Sequence, residues 1–172
     1  SEQVKPIMSF IENLGIKILQ VPDVEADDVI ATLATINYDK NVNILISSGD
    51  KDLAQLVNNR VTLVNSMDDK ILDTQGVKNK FGVSPENIFD YLVLIGDKSD
   101  NIPGVDKIGP KTAINLINMY GDLDAILSNI DKLKGKVKEN ISNSSQTINL
   151  AKKLIKLKKD VNINKNLDDY LI

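Results

Sequence analysis

The chain has 172 residues, of which 42% are hydrophobic and 26% are charged, a composition typical of a globular protein that can bury a core. The chain contains no cysteine and no histidine, which excludes disulfides, catalysis by a thiol or an imidazole, and zinc sites built from these side chains. A metal ion would therefore need oxygen ligands, which suit Mg²⁺, Mn²⁺ or Ca²⁺. The net charge of −3 is unevenly distributed. Residues 1–96 carry 14 acidic and 8 basic side chains, whereas residues 97–160 carry 8 acidic and 12 basic ones. An acidic half joined to a basic half suits a metal-dependent enzyme that acts on a polyanion, and the alternative is a chance imbalance of surface charge.

Helical and strand-like patterns alternate over the first 96 residues. Apolar side chains recur at helical spacing from Val4 to Leu14, and Gly15 ends this helix. The run from Val42 to Ile46 is almost continuously apolar, as in a strand covered on both faces of a sheet. In chain order we predict a helix at 4–14, a strand at 16–21, a helix at 25–38, a strand at 42–46, a helix opening at Asp50 or Asp52, a strand at 61–64, a turn at 67–70 and a short strand at 71–72. This order implies a wound, mostly parallel α/β sheet.

Mostly helical patterns follow from Thr74 onward. We predict helices at 87–95, from Pro110 to Tyr120, at 122–129 and, as a pair, within 131–159. The polar stretch from Asn140 to Ser145 is predicted to be a flexible loop. The chain therefore divides into an α/β part at residues 1–96 and a helical part at residues 97–172.

Two further features bear on location and partners. The longest apolar run, from Tyr91 to Ile95, is far too short to cross a membrane, and the N-terminal segment does not read as a leader, so we expect a cytoplasmic protein. Tryptophan is absent and aromatic residues make up 4% of the chain, which argues against a surface that stacks single-stranded bases.

Carboxylates cluster at three junctions between predicted elements. Each cluster has a plain structural explanation, because acids cap helix N-termini and occupy turns. Together they lie at the rim where wound sheets bind ligands, and carboxylates that converge repel one another unless cations neutralise them. We therefore predict two hard divalent cations about 4 Å apart, as in phosphoryl-transfer enzymes. The clusters are Glu25, Asp27 and Asp28, then Asp50 and Asp52, and then Asp97 and Asp100.

The segment from Ile102 to Ala113 has the form of a helix-hairpin-helix. Gly104 and Gly109 permit tight backbone turns and a close approach of phosphate, and the helix N-terminus after Gly109 presents free N–H groups to an anion. Lys107 and Lys111 add positive charge beside them. Such a hairpin binds a DNA backbone without reading its sequence. The alternative is an ordinary turn between two helices with glycines at the corner.

Three motifs resemble the 5′-nuclease domain of bacterial DNA polymerase I, a member of the flap-endonuclease superfamily. They are Glu25-Ala26-Asp27-Asp28, Ser48-Gly49-Asp50-Lys51-Asp52 and the stretch from Gly96 to Gly104, and the resemblance runs from about Gln3 to Val161. It implies a parallel α/β nuclease core followed by a helix-hairpin-helix that binds duplex DNA. It also implies hydrolysis of DNA phosphodiesters at 5′ flaps and RNA-primer ends, as a 5′–3′ exonuclease and 5′-flap endonuclease of replication and repair.

The resemblance also assigns roles to residues and names the partners. Two Mg²⁺ or Mn²⁺ ions are expected, with a K⁺ ion at the hairpin. Duplex DNA with a 5′ flap or nick is the expected substrate, a polymerase module is expected in the same full-length polypeptide, and the protein is expected to be a monomer. Asp50 and Asp97 are implied as catalytic. The implied metal ligands are Glu25, Asp27, Asp28, Asp50, Asp52, Asp97 and Asp100, and the implied DNA contacts are Gly104, Val105, Lys107, Ile108, Gly109, Lys111 and Thr112.

The chain also departs from this family. Family members begin with two strands that carry metal-binding aspartates and continue into a basic helical arch, none of which we find in this sequence. We interpret the chain as a truncated fragment with impaired activity, the alternative being a naturally short homologue. A different class of function is a non-catalytic, structure-specific module that binds duplex DNA. A Rossmann-like small-molecule binder is disfavoured, because no glycine-rich phosphate loop opens a helix.

Overall fold

The computed structural model describes residues 2–38, 42–65 and 70–163, which form a mixed α/β structure. Contacts within the chain group into a terminal unit, Ser1–Lys40 with Leu157–Ile172, and a central unit, Asn41–Lys156. Across the described ranges, every helix is too short or too polar to span a membrane. The helices are α1 (Val4–Asn13), α2 (Ala26–Tyr38), α3 (Thr74–Phe81), α4 (Ile88–Ile95), α5 (Pro110–Tyr120), α6 (Leu123–Ser128), α7 (Gly135–Asn143) and α8 (Ser145–Ile155). The strands are β1 (Ile44–Ser47), β2 (Val61–Val64), β3 (Ile71–Leu72), β4 (Gly96–Asp97) and β5 (Ile102–Pro103), and 3₁₀ helices lie at Asp52–Leu56, Pro85–Asn87 and Ile130–Lys132.

The terminal unit contains both helices predicted before residue 40. The core cluster around α2 contains Val29 together with Val161 and Ile163 from the far end of the chain. Helix α1 forms as its apolar spacing predicts, but none of its residues is buried. The strand predicted at 16–21 is wrong, since this segment pairs with no strand. Its alternating apolar side chains, including Leu19 and Val21, pack against the α2 cluster instead, which satisfies them without a ladder of hydrogen bonds.

Strands β1, β2 and β3 form a three-stranded sheet in that order. Strand β1 runs parallel to β2 and pairs Ile44 with Val61, whereas β2 runs antiparallel to β3 and pairs Leu63 with Leu72. The short connection after β2 permits only a reversal of direction, because a parallel neighbour needs a longer crossover. The turn predicted at 67–70 lies largely outside the described residues, which resume at residue 70.

Only one face of β1 is buried, whereas the sequence predicted a strand covered on both faces. Ile46 is buried, whereas Leu45 is 68% exposed. The helix predicted to open at Asp50 or Asp52 is a single 3₁₀ segment that begins at Asp52. This 3₁₀ helix lies in the connection between β1 and β2, and its side chains Leu53, Ala54 and Leu56 are buried in the central unit.

Helix α4 lies at the centre of the helical region. It packs against α5 and α8, and its residues Leu92, Val93 and Leu94 are almost completely buried. The nearly continuous apolar sequence of α4 explains why it is covered on all sides. The helix ends at Gly96, whose φ of 73° lies in the left-handed region that favours glycine. The acidic residues after α4 are therefore attached to a well-buried helix of the unit.

The flexible loop predicted from Asn140 to Ser145 is wrong. Helix α7 continues to Asn143 and α8 begins at Ser145, so a single residue, Ser144, separates them. The Ser144 hydroxyl donates a 2.7 Å hydrogen bond to the carbonyl oxygen of Asn140. Ile141 and Ile148 are both buried on the two sides of this junction. The apolar residues at helical spacing therefore outweigh the polar composition.

Candidate functional site

Three aspartates of the central unit converge although 48 residues separate the first from the last. Asp52, Asp97 and Asp100 each offer a carboxylate oxygen, and these oxygens all lie within 4.8 Å of one another. Asp52 begins the 3₁₀ helix after β1, Asp97 lies in β4, and Asp100 lies in the turn between β4 and β5. We call this set the acidic cluster. It joins the second and third groups of acids that the sequence singles out.

Local hydrogen bonds hold the segment that leads into Asp52. The N–H of Asp50 donates to the Ser48 hydroxyl oxygen at 3.1 Å, and Oδ1 of Asp50 accepts the N–H of Asp52 at 2.8 Å. This contact spans two residues and forms an Asx turn ahead of the 3₁₀ helix, whose N-cap residue, Lys51, makes no capping bond with its side chain. The negative charge of Asp50 also acts on Asp52, so the same carboxylate has both a structural and an electrostatic effect.

A tight hairpin positions Asp97 and Asp100. Strands β4 and β5 are antiparallel and pair Gly96 with Pro103 and Asp97 with Ile102. A Cβ at Gly104 would collide with the backbone of Ile95 and Gly96, so the two chain segments touch closely here. Gly104 is therefore required by packing beneath the hairpin, in addition to the close approach of phosphate predicted from the sequence.

The electrostatic environment of Asp52 is unusual. Burial is the largest cause of a raised pKa at Asp52, and the negative charges of Asp50, Asp97 and Asp100 add to it. Lys51 opposes these effects only in part, and the pKa rises from 3.8 to about 7. Among the described residues, Oδ1 of Asp52 is buried without a hydrogen-bond partner. A buried oxygen without a donor is costly, and a bound cation would offset that cost.

Asp97 is stabilised in its ionised form. Burial acts to raise its pKa, but hydrogen bonds outweigh burial and lower the pKa below its usual value. Oδ1 of Asp97 accepts the Ser99 N–H at 2.9 Å and the Ser99 hydroxyl at 2.5 Å, and the Lys51 ammonium lies 2.6 Å away. Lys51 and Ser99 are not among the site residues predicted from the sequence. The available signal was that each lies within two residues of a predicted metal ligand.

The first group of predicted acids lies in the terminal unit, at the start of α2. Glu25 is exposed, Asp27 is partly buried, and Asp28 is buried. Oδ1 of Asp28 accepts the N–H of Lys158 at 2.8 Å, and its Oδ2 lies 3.6 Å from the Lys158 ammonium. Asp28 therefore ties the segment after α8 to α2 within this unit. The metal-binding role of the three acids stays a prediction.

The predicted DNA-binding hairpin contains buried residues that attach it to the core and exposed residues that are open to a ligand. The side chains of Val105 and Ile108 are buried, the Val105 N–H donates to the carbonyl of Leu94, and the Ile108 N–H donates to the carbonyl of Val105. These residues anchor the turn on the core. Gly109 is open, since a Cβ there would meet no atom within 4 Å.

The outer side of the hairpin is positively charged. Lys107 and Lys111 are both exposed, and Lys107 lies 3.6 Å from its neighbour Asp106. Pro110 occupies the first turn of α5, followed by Lys111 and the partly buried Thr112. The first N–H groups of a helix have no acceptor within the helix, so this end of α5 is suited to an anion.

The acidic cluster fits one hard divalent cation. Oxygens that bind such an ion lie about 2.0–2.6 Å from it, so two ligands on opposite sides are at most about 4–5 Å apart. The separations within 4.8 Å meet this limit, and the unpartnered Oδ1 of Asp52 supplies a second, independent reason to place a cation here. The donor set consists of carboxylates alone, which suits Mg²⁺ or Mn²⁺.

Comparison with known proteins gives consistent matches along the whole chain. Residues 1–82 match the model of the 5′-3′ exonuclease N-terminal resolvase-like domain, and residues 83–172 match that of the 5′-3′ exonuclease C-terminal SAM fold. A 5′-3′ exonuclease of Buchnera aphidicola is 44% identical over 95% of this chain and 56% of its own length, and that of Aquifex aeolicus is 41% identical over 99% and 58%. DNA polymerase I of Pseudomonas aeruginosa is 43% identical over 96% of this chain and 19% of its own length. The chain thus spans a little over half the length of the two exonucleases.

Solved structures show the same fold. The 5′-exonuclease of phage T5 with bound zinc ions is 25% identical, with a TM-score of 0.71 over 81% of this chain and 52% of that one. A complex of the catalytic core of Rad2 with a DNA substrate has a TM-score of 0.59 at 19% identity, over 98% of this chain and 62% of that one. The second match supports the fold alone.

Proposed function

Because the chain belongs to the 5′-3′ exonuclease family, we propose that it takes part in metal-dependent hydrolysis of DNA phosphodiesters at 5′ ends and 5′ flaps. The observation that carries this proposal is the acidic cluster, in which three carboxylate oxygens lie within 4.8 Å and one of the residues has a buried, unpartnered oxygen. Surfaces that only bind DNA have no reason to gather carboxylates, since phosphates repel them.

In the proposed site, Asp52, Asp97 and Asp100 hold a Mg²⁺ or Mn²⁺ ion. When bound, such an ion supplies positive charge that stabilises the negative charge developing on a phosphodiester. Asp50 orients Asp52 through the backbone N–H of that residue. Ser99 holds Asp97 by two hydrogen bonds, which keeps its carboxylate ionised and in place.

The proposal keeps the remaining metal ligands that the resemblance implies. Glu25, Asp27 and Asp28 are proposed to contribute to a second ion, and Asp50 and Asp97 are proposed as the catalytic pair. Their support is the agreement of the motifs with those of the family. An α/β nuclease core at 1–96 with a wound sheet, and a DNA-binding part at 97–172, belong to the same proposal.

Duplex DNA is proposed to bind at the hairpin from Gly104 to Thr112 through its phosphates. The open N-terminus of α5 and the exposed Lys107 and Lys111 support this assignment. Val105 and Ile108 anchor the turn on the core, and the proposed K⁺ ion would be held by backbone carbonyl oxygens of the hairpin. Because no side chain here is placed to read base edges, binding is expected to be independent of sequence.

The wider setting of the protein is also a proposal. The relatives named DNA polymerase I support a polymerase module in the same full-length polypeptide. The substrate proposed is a duplex with a 5′ flap or nick, met in replication and repair. A monomer in the bacterial cytoplasm completes the proposal.

A second candidate is a module that binds duplex DNA without cleaving it. The exposed lysines at the open N-terminus of α5 favour it, since they need no metal ion to bind phosphate. The two candidates differ in the function of the acidic cluster, which only the nuclease requires.

Cleavage of a labelled 5′-flap duplex in Mg²⁺ or Mn²⁺, with melting curves in the same metals, tests the proposal. We expect Asp97→Asn to lower the rate roughly a hundredfold or more, as for other lost electrostatic groups of an active site. It should also reduce the metal-induced rise in melting temperature. Asp131→Asn is the matched control, since Asp131 is exposed and paired with Lys138 on another part of the unit. Duplex binding without metal-dependent cleavage or stabilisation would refute the nuclease and support the binding module.

A further inference from the structure

Lys51 lies between two aspartates in the chain and contacts a third. Its Nζ is 2.6 Å from Oδ1 of Asp97, whose side chain is 1% exposed, whereas the side chain of Lys51 is 34% exposed. An ammonium group this close to a buried carboxylate forms a charge-assisted hydrogen bond, which is stronger than a bond between neutral groups. A cation of the chain itself therefore contacts a proposed metal ligand.

The three donors to Oδ1 of Asp97 differ in how firmly they are held. Ser99 donates both its N–H and its hydroxyl, and it lies only two residues away in the β4–β5 turn. The N–H can move only with the backbone of the hairpin, and the hydroxyl can move only by rotation about one side-chain bond. Lys51 comes from a different segment and reaches the same atom along a flexible four-carbon chain. The ammonium group is thus the donor that can leave without disturbing the turn.

We propose that Lys51 is an internal counter-ion of the metal-free acidic cluster, and that a divalent metal ion displaces it from Asp97. This inference rests on the proposed metal site of Asp52, Asp97 and Asp100. In the metal-free protein the ammonium offsets part of the repulsion among carboxylates whose oxygens lie within 4.8 Å. A divalent ion brings twice the charge and takes over that role.

The counter-ion has opposite effects on two measurable quantities. It stabilises the metal-free fold, because it neutralises part of the cluster. It weakens metal binding, because the contact between Lys51 and Asp97 must break before the ion binds. A lysine with a purely structural role would differ, since its removal would lower both stability and metal affinity.

Calorimetric titration of the 172-residue chain with Mn²⁺ and Mg²⁺ tests the inference. We expect Lys51→Met to bind Mn²⁺ about tenfold tighter than the unaltered chain, since a charge-assisted hydrogen bond no longer has to be broken. Its metal-free melting temperature should fall at the same time. Lys51→Arg keeps the charge and a donor and should bind metal much as the unaltered chain does. Lys98→Gln is the matched control, because it removes an exposed positive charge next to Asp97, and it should change the affinity less than about twofold.

The outcomes separate the counter-ion from the metal site. Equal or weaker Mn²⁺ binding by Lys51→Met overturns the displacement, and so does equal tightening by Lys98→Gln, which would reflect only the net charge. Asp52→Asn serves as the reference for the site itself. If the unaltered chain binds metal no better than this variant, the proposed metal site fails and the inference fails with it.

A second measurement, by NMR, follows the Lys51 ammonium directly in the unaltered chain. In the protein labelled with ¹⁵N-lysine, the ammonium signal of Lys51 is identified by its absence from Lys51→Arg. A hydrogen-bonded ammonium exchanges its protons slowly, so this signal should be visible without metal and be lost or shifted on addition of Mg²⁺. A signal unchanged at saturating Mg²⁺ would show that the ion and the lysine share the cluster, and it would overturn the displacement.

Discussion

Replacing Asp52 by asparagine is expected to stabilise the metal-free protein at pH 8 and to leave its stability equal or slightly lower at pH 4.5. The carboxylate of Asp52 is buried among three other acids, and its Oδ1 is without a hydrogen-bond partner among the described residues. An asparagine keeps the shape of the side chain and removes the charge. The dependence of its effect on pH therefore isolates the cost of ionising this group inside the fold.

The magnitude follows from the raised pKa. The pKa of Asp52 moves from 3.8 to about 7, and at about 1.4 kcal/mol per unit the ionised form costs the folded state about 4 kcal/mol at pH 8. Between pH 4 and pH 7 the folded state keeps a proton that the unfolded state has released, so stability falls as the pH rises through this window. The amide adds donors that lack a partner, at a cost of about 1–3 kcal/mol. The net gain expected for Asp52→Asn at pH 8 is therefore about 1–3 kcal/mol.

Urea unfolding of both proteins between pH 4.5 and pH 8, in the presence of a chelator, measures this difference. The advantage of Asp52→Asn should grow steadily with pH and level off above pH 7. Asp131→Asn is the control, because the pKa of Asp131 is lowered by its contact with Lys138 and so lies outside the window. A difference in stability that is independent of pH would refute the assignment of the raised pKa to Asp52. Added Mg²⁺ should reverse the order, since the unaltered chain gains more from binding the ion.

Two further predictions concern the hairpin. Gly104→Ala is expected to lower the free energy of unfolding by about 3 kcal/mol, because a Cβ would collide with the backbone of Ile95 and Gly96. Gly109→Ala is the control, because a Cβ there would meet no atom within 4 Å. It should lower the free energy of unfolding by less than about 1 kcal/mol in the same urea titration, since alanine is a poorer N-cap residue than glycine. Equal losses for the two variants would show that the close packing at Gly104 is misplaced. Lys111→Glu is expected to weaken binding to two unrelated duplexes alike, by roughly tenfold at low salt and less as salt rises, as measured by fluorescence anisotropy. Lys78→Glu, a charge reversal on α3, should leave that affinity close to its original value, and a loss as large as that of Lys111→Glu would place the DNA contact elsewhere.

Local sequence patterns determine most of the helices and three of the strands. The apolar spacing of α1, the glycine that ends α4 and the proline at the start of α5 each act within a few residues, so they can be read without a fold. The acids of the second and third groups could also be chosen in advance, because their positions follow predicted elements. The bounds predicted for β1 lie within two residues of the observed ones, and those predicted for β2 and β3 agree with the structure.

Predictions failed where a distant partner decides the structure. The segment at 16–21 has the alternation of a strand, but it packs against α2 and Ile163 and so needs no strand partner. The stretch from Asn140 to Ser145 has the composition of a loop, but burial of Ile141 and Ile148 keeps it helical. In both cases tertiary packing outweighs the local preference.

The amino-acid sequence alone determines which acids are available for a metal ion and which elements carry them. Only the tertiary structure decides that Asp52, Asp97 and Asp100 meet, that Lys51 pairs with Asp97, and that Asp28 binds the backbone of Lys158, 130 residues away. The physical reason is that a pKa, an ion pair or a metal site depends on distances of a few ångströms between groups far apart in the chain. Local patterns set the elements, whereas packing of the core around α4 and α2 sets those distances.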